Sequence, residues 1–256
     1  MSEHVEVTQE GRRLDIRFNR PEARNAITVA MYAAMADAVE RAGADDSIDL
    51  LTISGAGEDF TAGNDLMDFM AAMPRPDAAG EEPDIPVWRF LKAMARNTVP
   101  VVAKVQGNAI GIGTTMLFHC DLVVVSDAAR FKMPFTELGL VPEAASSLIL
   151  PDLAGRRAAA RYLLLGESFG ADEAKAIGLA SHVVPGADLD AGFDKVVETF
   201  LARPPEAMRL TQALLRKVDV DRITERMTLE NGHFAERLQS DELKAAITAF
   251  FAARGR

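Results

Sequence analysis

Residues 105–131 read VQGNAIGIGTTMLFHCDLVVVSDAARF, and their pattern decides the fold class. An apolar strand ends at a turn punctuated by Gly107, Gly111 and Gly113, a helical pattern opens at GTTMLFHC, and a second apolar run, DLVVVSD, follows at once. Strand, crossover and strand in so short a space predict an α/β chain.

The alternation continues outward. PVVAKVQG reads as a strand, WRFLKAMARN as a helix and IDLLTISG as a short apolar strand. Nearer the N-terminus, Pro21 ends an extended pattern, Thr28 suits a helix N-cap, and an Ala-rich run keeps helical spacing to Gly43. Residues 4–19, HVEVTQEGRRLDIRFN, form two alternating runs about the turn signal QEGR, the pattern of a β-hairpin. The N-terminal part therefore reads ββα. Residues 73–86, MPRPDAAGEEPDIP, carry four prolines and no period and read as a mobile loop placed to cover a site. From about residue 190 onward only helical patterns remain, forming a helical appendage.

Composition excludes several classes. A chain of 256 residues, 48% hydrophobic, can bury the core of one large domain. The net charge of −10 argues against a general nucleic-acid or anionic-membrane surface, since either needs a basic face. Cys120 is the single cysteine, so there is no intramolecular disulfide, and His4, His119, His182 and His233 lack metal-ligand spacing. No apolar run reaches about 18 residues. The stretch MSEHVEVTQEGRR has no apolar core of a secretory signal, and a metal-free cytoplasmic protein is expected.

Two loops and one carboxylate are candidates for function. After LLTISG comes AGEDFTAGNDLMDFM, where backbone N–H groups around Gly63 and Asn64 can face a ligand. GNAIGIG supplies a second strand-to-helix loop, and two such loops can converge on one oxygen, although each alone is equally an ordinary turn. Neither is a Walker loop, since no Gly-Lys-Ser/Thr follows, and the G-x-G-x-x-G order of a dinucleotide site is absent. Residues 139–147, GLVPEAASS, set Glu143 among small and apolar neighbours with no Lys or Arg beside it. Such a carboxylate is either on the surface or tuned for proton chemistry. Pro142 and Glu143 also suit the first two positions of a helix, which would make Glu143 an exposed or capping residue.

In these segments the chain resembles the crotonase superfamily, also called the enoyl-CoA hydratase/isomerase family. FNRPEARNAIT, ISGAGEDFTAGNDL, the 105–131 stretch, FTELGLVPEAASS and ADEAKAIGLASHVV carry the likeness over nearly the whole length. The resemblance implies a crotonase-type spiral of repeated ββα units over residues 1–190, holding coenzyme A and the active site. It also implies a C-terminal helical trimerisation region over 191–256, and hence a homotrimer or a dimer of trimers. Two backbone N–H groups, those of Asn64 and Ile112, are expected to hold a thioester carbonyl as it becomes an enolate. Many relatives have glycine where Ile112 stands, but a backbone donor does not depend on its side chain. CoA is expected along Ala23 and Arg24 and along Ala62, Asp65 and Leu66, with Asp65 also fixing its loop. CoA is part of the substrate, so no separate cofactor and no metal is expected.

The resemblance also bears on the reaction. Thr115 and Phe135 stand where hydratases, which are lyases, carry two glutamates, and their identity argues against efficient hydration. The branch that moves a 3-enoyl-CoA double bond to the 2 position has a glutamate at the position of Glu143 and segments similar to AGNDL and PFTELGLVPEAASS. Glu143 is therefore expected to shuttle a proton from C2 to C4. Alternatives are a hydratase or an aromatic acyl-CoA-modifying enzyme on the same scaffold, and a non-catalytic acyl-CoA-binding subunit. Glu137 reads as a surface or structural carboxylate, His119 and Cys120 as packing residues, and Asp121 as structural. Trp88, Phe90, Met67, Phe69 and Met70 read as acyl-pocket lining or plain core. In AFFAARGR alanine stands where relatives direct a lysine at the CoA 3′-phosphate, so that either Arg254 substitutes for it or the phosphate stays exposed.

Overall fold

The alternating N-terminal runs form the expected hairpin. β1 (Val5–Glu10) and β2 (Arg13–Phe18) pair antiparallel about Gly11, whose φ of +58° is the left-handed conformation this tight turn uses. α1 (Val29–Ala44) starts at Thr28, whose hydroxyl accepts from the Met31 N–H at 3.3 Å. There follow β3 (Leu50–Gly55), α2 (Leu66–Ala72), α3 (Pro86–Arg96), β4 (Val101–Val105), β5 (Asn108–Ile110) and α4 (Ile112–Thr115). The chain continues through β6 (Leu122–Ser126), β7 (Arg130–Lys132), α5 (Ser146–Ala154), α6 (Arg156–Leu164), β8 (Phe169–Gly170), α7 (Ala171–Ala176) and β9 (His182–Val184). It ends in α8 (Leu189–Leu201), α9 (Pro205–Arg216), α10 (Val220–Arg237) and α11 (Asp241–Arg254). This computed structural model describes residues 3–72, 85–216 and 220–254. The proline-rich stretch at 73–84 and the side chains of Phe69, Met70 and Arg254 lie outside the described residues.

The larger sheet has the order β1-β2-β3-β4-β6-β9 and is parallel from β2 onward, while β5-β7-β8 form a smaller sheet. β4 runs directly into β5 and β6 into β7, and Thr61, beyond β3, bridges Ala109 of β5. The turns through β4–β5 and β6–β7 thus leave one strand in each sheet before the chain crosses back, which is the ββα spiral.

The inner parallel strands β3, β4 and β6 are largely apolar because both of their faces are covered. Leu51, Ile53, Ala103, Val105, Val123 and Val125 join the main core, and the alternate residues Leu50, Val102 and Val124 pack against Leu189, Phe193 and Val197 of α8. The first C-terminal helix therefore closes the back of the sheet. The helical pattern at GTTMLFHC is realised only briefly: α4 has four residues and passes into a 3-10 turn, Met116–His119, because Cys120 is already extended for entry into β6. No helix among the described residues is long and apolar enough to cross a membrane.

Candidate active site

The two glycine loops lie against each other. Thr61 N–H donates to the Asn108 carbonyl at 2.9 Å, and Ile110 N–H returns a bond to the Thr61 carbonyl at 3.1 Å. Gly63 has φ +88°, and a Cβ there would stand 2.7 Å from the Ile110 carbonyl oxygen. At Gly113 a Cβ would meet the Thr61 methyl at 2.5 Å. Glycine is required because the loops approach more closely than any side chain permits. Gly63→Ala is expected to cost about 2 kcal/mol through strain and contact, read as a lowered unfolding midpoint, and to reduce turnover.

Asn64 follows Gly63, and Ile112 begins α4 after Gly111, itself at φ +57°. Among the described residues, neither the Asn64 nor the Ile112 N–H has a hydrogen-bond acceptor; Ile112 is the first residue of a helix, where N–H groups commonly lack one. The Asn64 side chain is held: its Oδ1 accepts from the hydroxyl of Tyr32 on α1. Asp65 fixes the loop as expected, since its N–H donates to the Ile27 carbonyl at 2.9 Å and its carboxylate pairs with Arg20 at 2.8 Å. Arg20 holds the Asp65 carboxyl below its ordinary range. On the outer side, Ala62 N–H donates to the Arg24 carbonyl at 2.9 Å, joining the two segments expected to run along CoA. Ala23 ends the 3-10 turn Pro21–Ala23, Leu66 opens α2, and the largely exposed Arg24 side chain lies 3.7 Å from Asp59.

Glu143 is buried, with 1% of its surface exposed. The helix-start reading of Pro142–Glu143 is therefore corrected: α5 begins only at Ser146, because Ala144 and Ala145 take left-handed φ values of +59° and +55°. Neither carboxyl oxygen of Glu143 has a hydrogen-bond partner among the described residues. Burial first, and the nearby Glu230 second, push its pKa up to about 8, against a smaller downward effect of Thr115. The Thr115 hydroxyl lies near enough to act on the charge while standing outside hydrogen-bonding geometry. Of the six buried side-chain polar atoms left unpaired among the described residues, three belong to Glu143 and Thr115. Such a concentration marks a place where a polar ligand completes the bonding.

Glu143 links the two loops electrostatically. Burial, with the added influence of Glu143, raises the Tyr32 phenol well above its ordinary value, and Tyr32 is the residue bonded to Asn64. Thr115, on the other side, is three residues along α4 from Ile112. The structure thus brings Asn64, Ile112 and Glu143 into one neighbourhood.

Two residues there, Tyr32 and Glu230, escaped the sequence reading, which gives a third, His119, only a packing role. His119 does more than pack: its Nε2 bonds to the Ala144 carbonyl at 2.8 Å, and burial lowers its pKa to about 4, so that the ring is neutral and donates. Tyr32 was hidden in an Ala-rich helix as apparent core. Glu230 shares the buried face of α10 with Met227, Asn231 and Phe234, and an acid at that spacing on an apolar stripe was the available signal. Other expectations resolve simply. Glu137 is exposed and pairs with Lys132 at 2.9 Å. Cys120 is partly buried against the core. Asp121 is structural, accepting from the Val101 N–H at 2.8 Å and pairing with Arg216 at 3.0 Å. Phe90 packs on Tyr32 with ring centres 5.8 Å apart, Trp88 packs edge-on to Phe234, and Met67 is exposed. Trp88 also borders a cavity of about 590 Å³ between α1 and α3, which none of Asn64, Ile112 or Glu143 lines.

A ββα spiral whose loops present free amides beside a buried carboxyl defines a class of protein, and comparison with known sequences agrees. The sequence matches the model of the enoyl-CoA hydratase/isomerase family over residues 10–255, and the chain belongs to that family. It is 35% identical over 249 residues to enoyl-CoA delta isomerase 2 of Rattus norvegicus, covering 97% of this chain and 63% of the rat protein's length. It is also 31% identical to 2,3-dehydroadipyl-CoA hydratase of Escherichia coli, covering 99% of this chain and 97% of that one. The crystal structure of an enoyl-CoA hydratase/isomerase from Pseudoalteromonas atlantica superposes with a TM-score of 0.90 at 40% identity, covering 98% of each chain.

Proposed function

We propose that this protein moves the double bond of a 3-enoyl-CoA to the 2 position. The observation that carries the reading is Glu143, a buried carboxyl whose oxygens have no partner among the described residues, facing Thr115 where hydratases have a glutamate. The isomerase among the relatives supports it. In the proposed reaction Glu143 takes a proton from C2, and the C2–H electron pair passes into the thioester to give a dienolate. The Asn64 and Ile112 N–H groups hold the oxyanion, one such donor being worth about 3 to 4 kcal/mol. Glu143 then returns the same proton to C4, leaving the double bond between C2 and C3. One carboxyl serves both ends because the proton leaves and returns on one face. Residues 1–190 would form the substrate-binding core, with CoA along Ala23, Arg24, Ala62, Asp65 and Leu66. The helices beyond 190 would join subunits of a cytoplasmic trimer, and the shift calls for no cofactor or metal.

The test is spectroscopic, with 3-hexenoyl-CoA and crotonyl-CoA supplied separately. Formation of the conjugated thioester from the first, with little loss of the second, is the expected result. Rapid loss of crotonyl-CoA would identify a hydratase and overturn the reading. Because the base must be ionised to act, kcat/KM is expected to rise as pH passes through about 8 and to level off above it.

A further inference from the structure

We propose that Glu230 is a positioning residue for Glu143, clamping the left-handed turn behind the base and setting a second negative charge against it. The proposal rests on the assignment of Glu143 as the base. Glu230 lies on α10, far along the chain, yet is only 5% exposed. Its two oxygens accept separately from the backbone, Oε2 from Ala145 N–H at 2.6 Å and Oε1 from Ser147 N–H at 3.0 Å. Burial raises the Glu230 pKa above its ordinary value, while the two accepted N–H bonds and the nearby Arg226 work in the opposite direction and favour the ionised form. The clamp thereby caps α5, whose N-cap residue, Ala145, has no side-chain oxygen of its own.

Alanine is poorly suited to the left-handed region, and two in succession persist only when their surroundings hold them. Here they are held from two sides, by Glu230 at Ala145 and Ser147 and by His119 at the Ala144 carbonyl. The turn faces Glu143 inward, and Ser146 Oγ donates to the Glu143 carbonyl at 2.6 Å, fixing its backbone. Nothing among the described residues binds the Glu143 carboxyl itself, so its place is set by this backbone.

The charged and titratable groups around the pair are few. Tyr32 faces Glu143 from α1 and is protonated, and neutral His119 stands behind the turn with Arg216 of α9 beyond it. On α10, Arg226 lies beside Glu230 and bonds Ser147 Oγ at 3.2 Å. Glu230 is the one residue among these that disfavours ionisation of Glu143 by its charge.

The experiment follows the Glu143 carboxyl by infrared difference spectroscopy across a pH titration, its band assigned as the one lost in Glu143→Gln. Four proteins are compared: wild type, Glu230→Gln, Ala145→Gly and the double variant. Glu230→Gln is expected to lower both the unfolding temperature and the Glu143 midpoint, the latter by about one pH unit. Ala145→Gly, which relaxes the turn, is expected to restore the unfolding temperature in the double variant without restoring the midpoint. If Glu230→Gln alone does not fold, the comparison is made between Ala145→Gly and the double variant. An unchanged midpoint, or one restored together with stability, would overturn the proposal. The titration needs no turnover: a lowered midpoint in a protein that fails to isomerise 3-hexenoyl-CoA would retain Glu230's role and discard the reaction.

Discussion

Glu143→Gln is expected to lower the turnover of 3-hexenoyl-CoA by about 10⁴-fold, the upper end of what a general acid–base group contributes, because one carboxyl performs both proton transfers. The side chain keeps its shape and the neutral form keeps its polarity, so binding of a saturated acyl-CoA should change by no more than a few-fold. A fall in kcat without a rise in the ligand's Kd places the loss in the chemical step. Retained turnover would remove Glu143 from the mechanism. A wild-type protein that binds acyl-CoA but turns over neither enoyl substrate would instead be a binding subunit.

The same substitution is expected to stabilise the protein at alkaline pH. The Glu143 carboxyl ionises near 4.5 in the unfolded chain and near 8 in the native one, chiefly because burial disfavours its charge. Below pH 4.5 both states are protonated and stability is complete. As pH rises, the unfolded chain loses this proton while the native protein retains it, and stability falls by about 1.4 kcal/mol per pH unit. The loss stops growing once the native carboxyl ionises, near pH 8. Glutamine does not titrate. The variant should therefore match the wild type in acid and exceed it by a few kcal/mol above pH 8 in urea unfolding measured at several pH values. His119, whose lowered pKa makes the native state labile to acid, is present in both proteins and cancels in the difference. Equal stability at all pH values would mean that Glu143 is solvated.

Local pattern made much of this protein legible in its sequence. The hairpin about Gly11, the cap at Thr28 and the runs LLTISG, VVAKV and LVVVS follow from alternation, capping chemistry and two-sided burial, which neighbouring residues record. The glycines at 63, 107, 111 and 113 marked the loops after those strands, and Glu143 was visible as an acid among small apolar residues. The short strands β5, β7, β8 and β9 escaped notice, since two or three residues carry no period.

The sequence by itself determined the α/β alternation, the two loops and the candidate acid, and its family resemblance implied the spiral. Only the tertiary structure decided that Glu143 is inside. Pro142–Glu143 is as good a helix start as a buried turn, and what selects the turn is His119, 25 residues from Ala144, together with Glu230, 85 residues from Ala145. Tyr32 acquires its part in the same way, by meeting Asn64 from 32 residues away. A carboxyl's proton affinity depends on which groups surround it in space, and these are contributed by segments that share no local pattern with it.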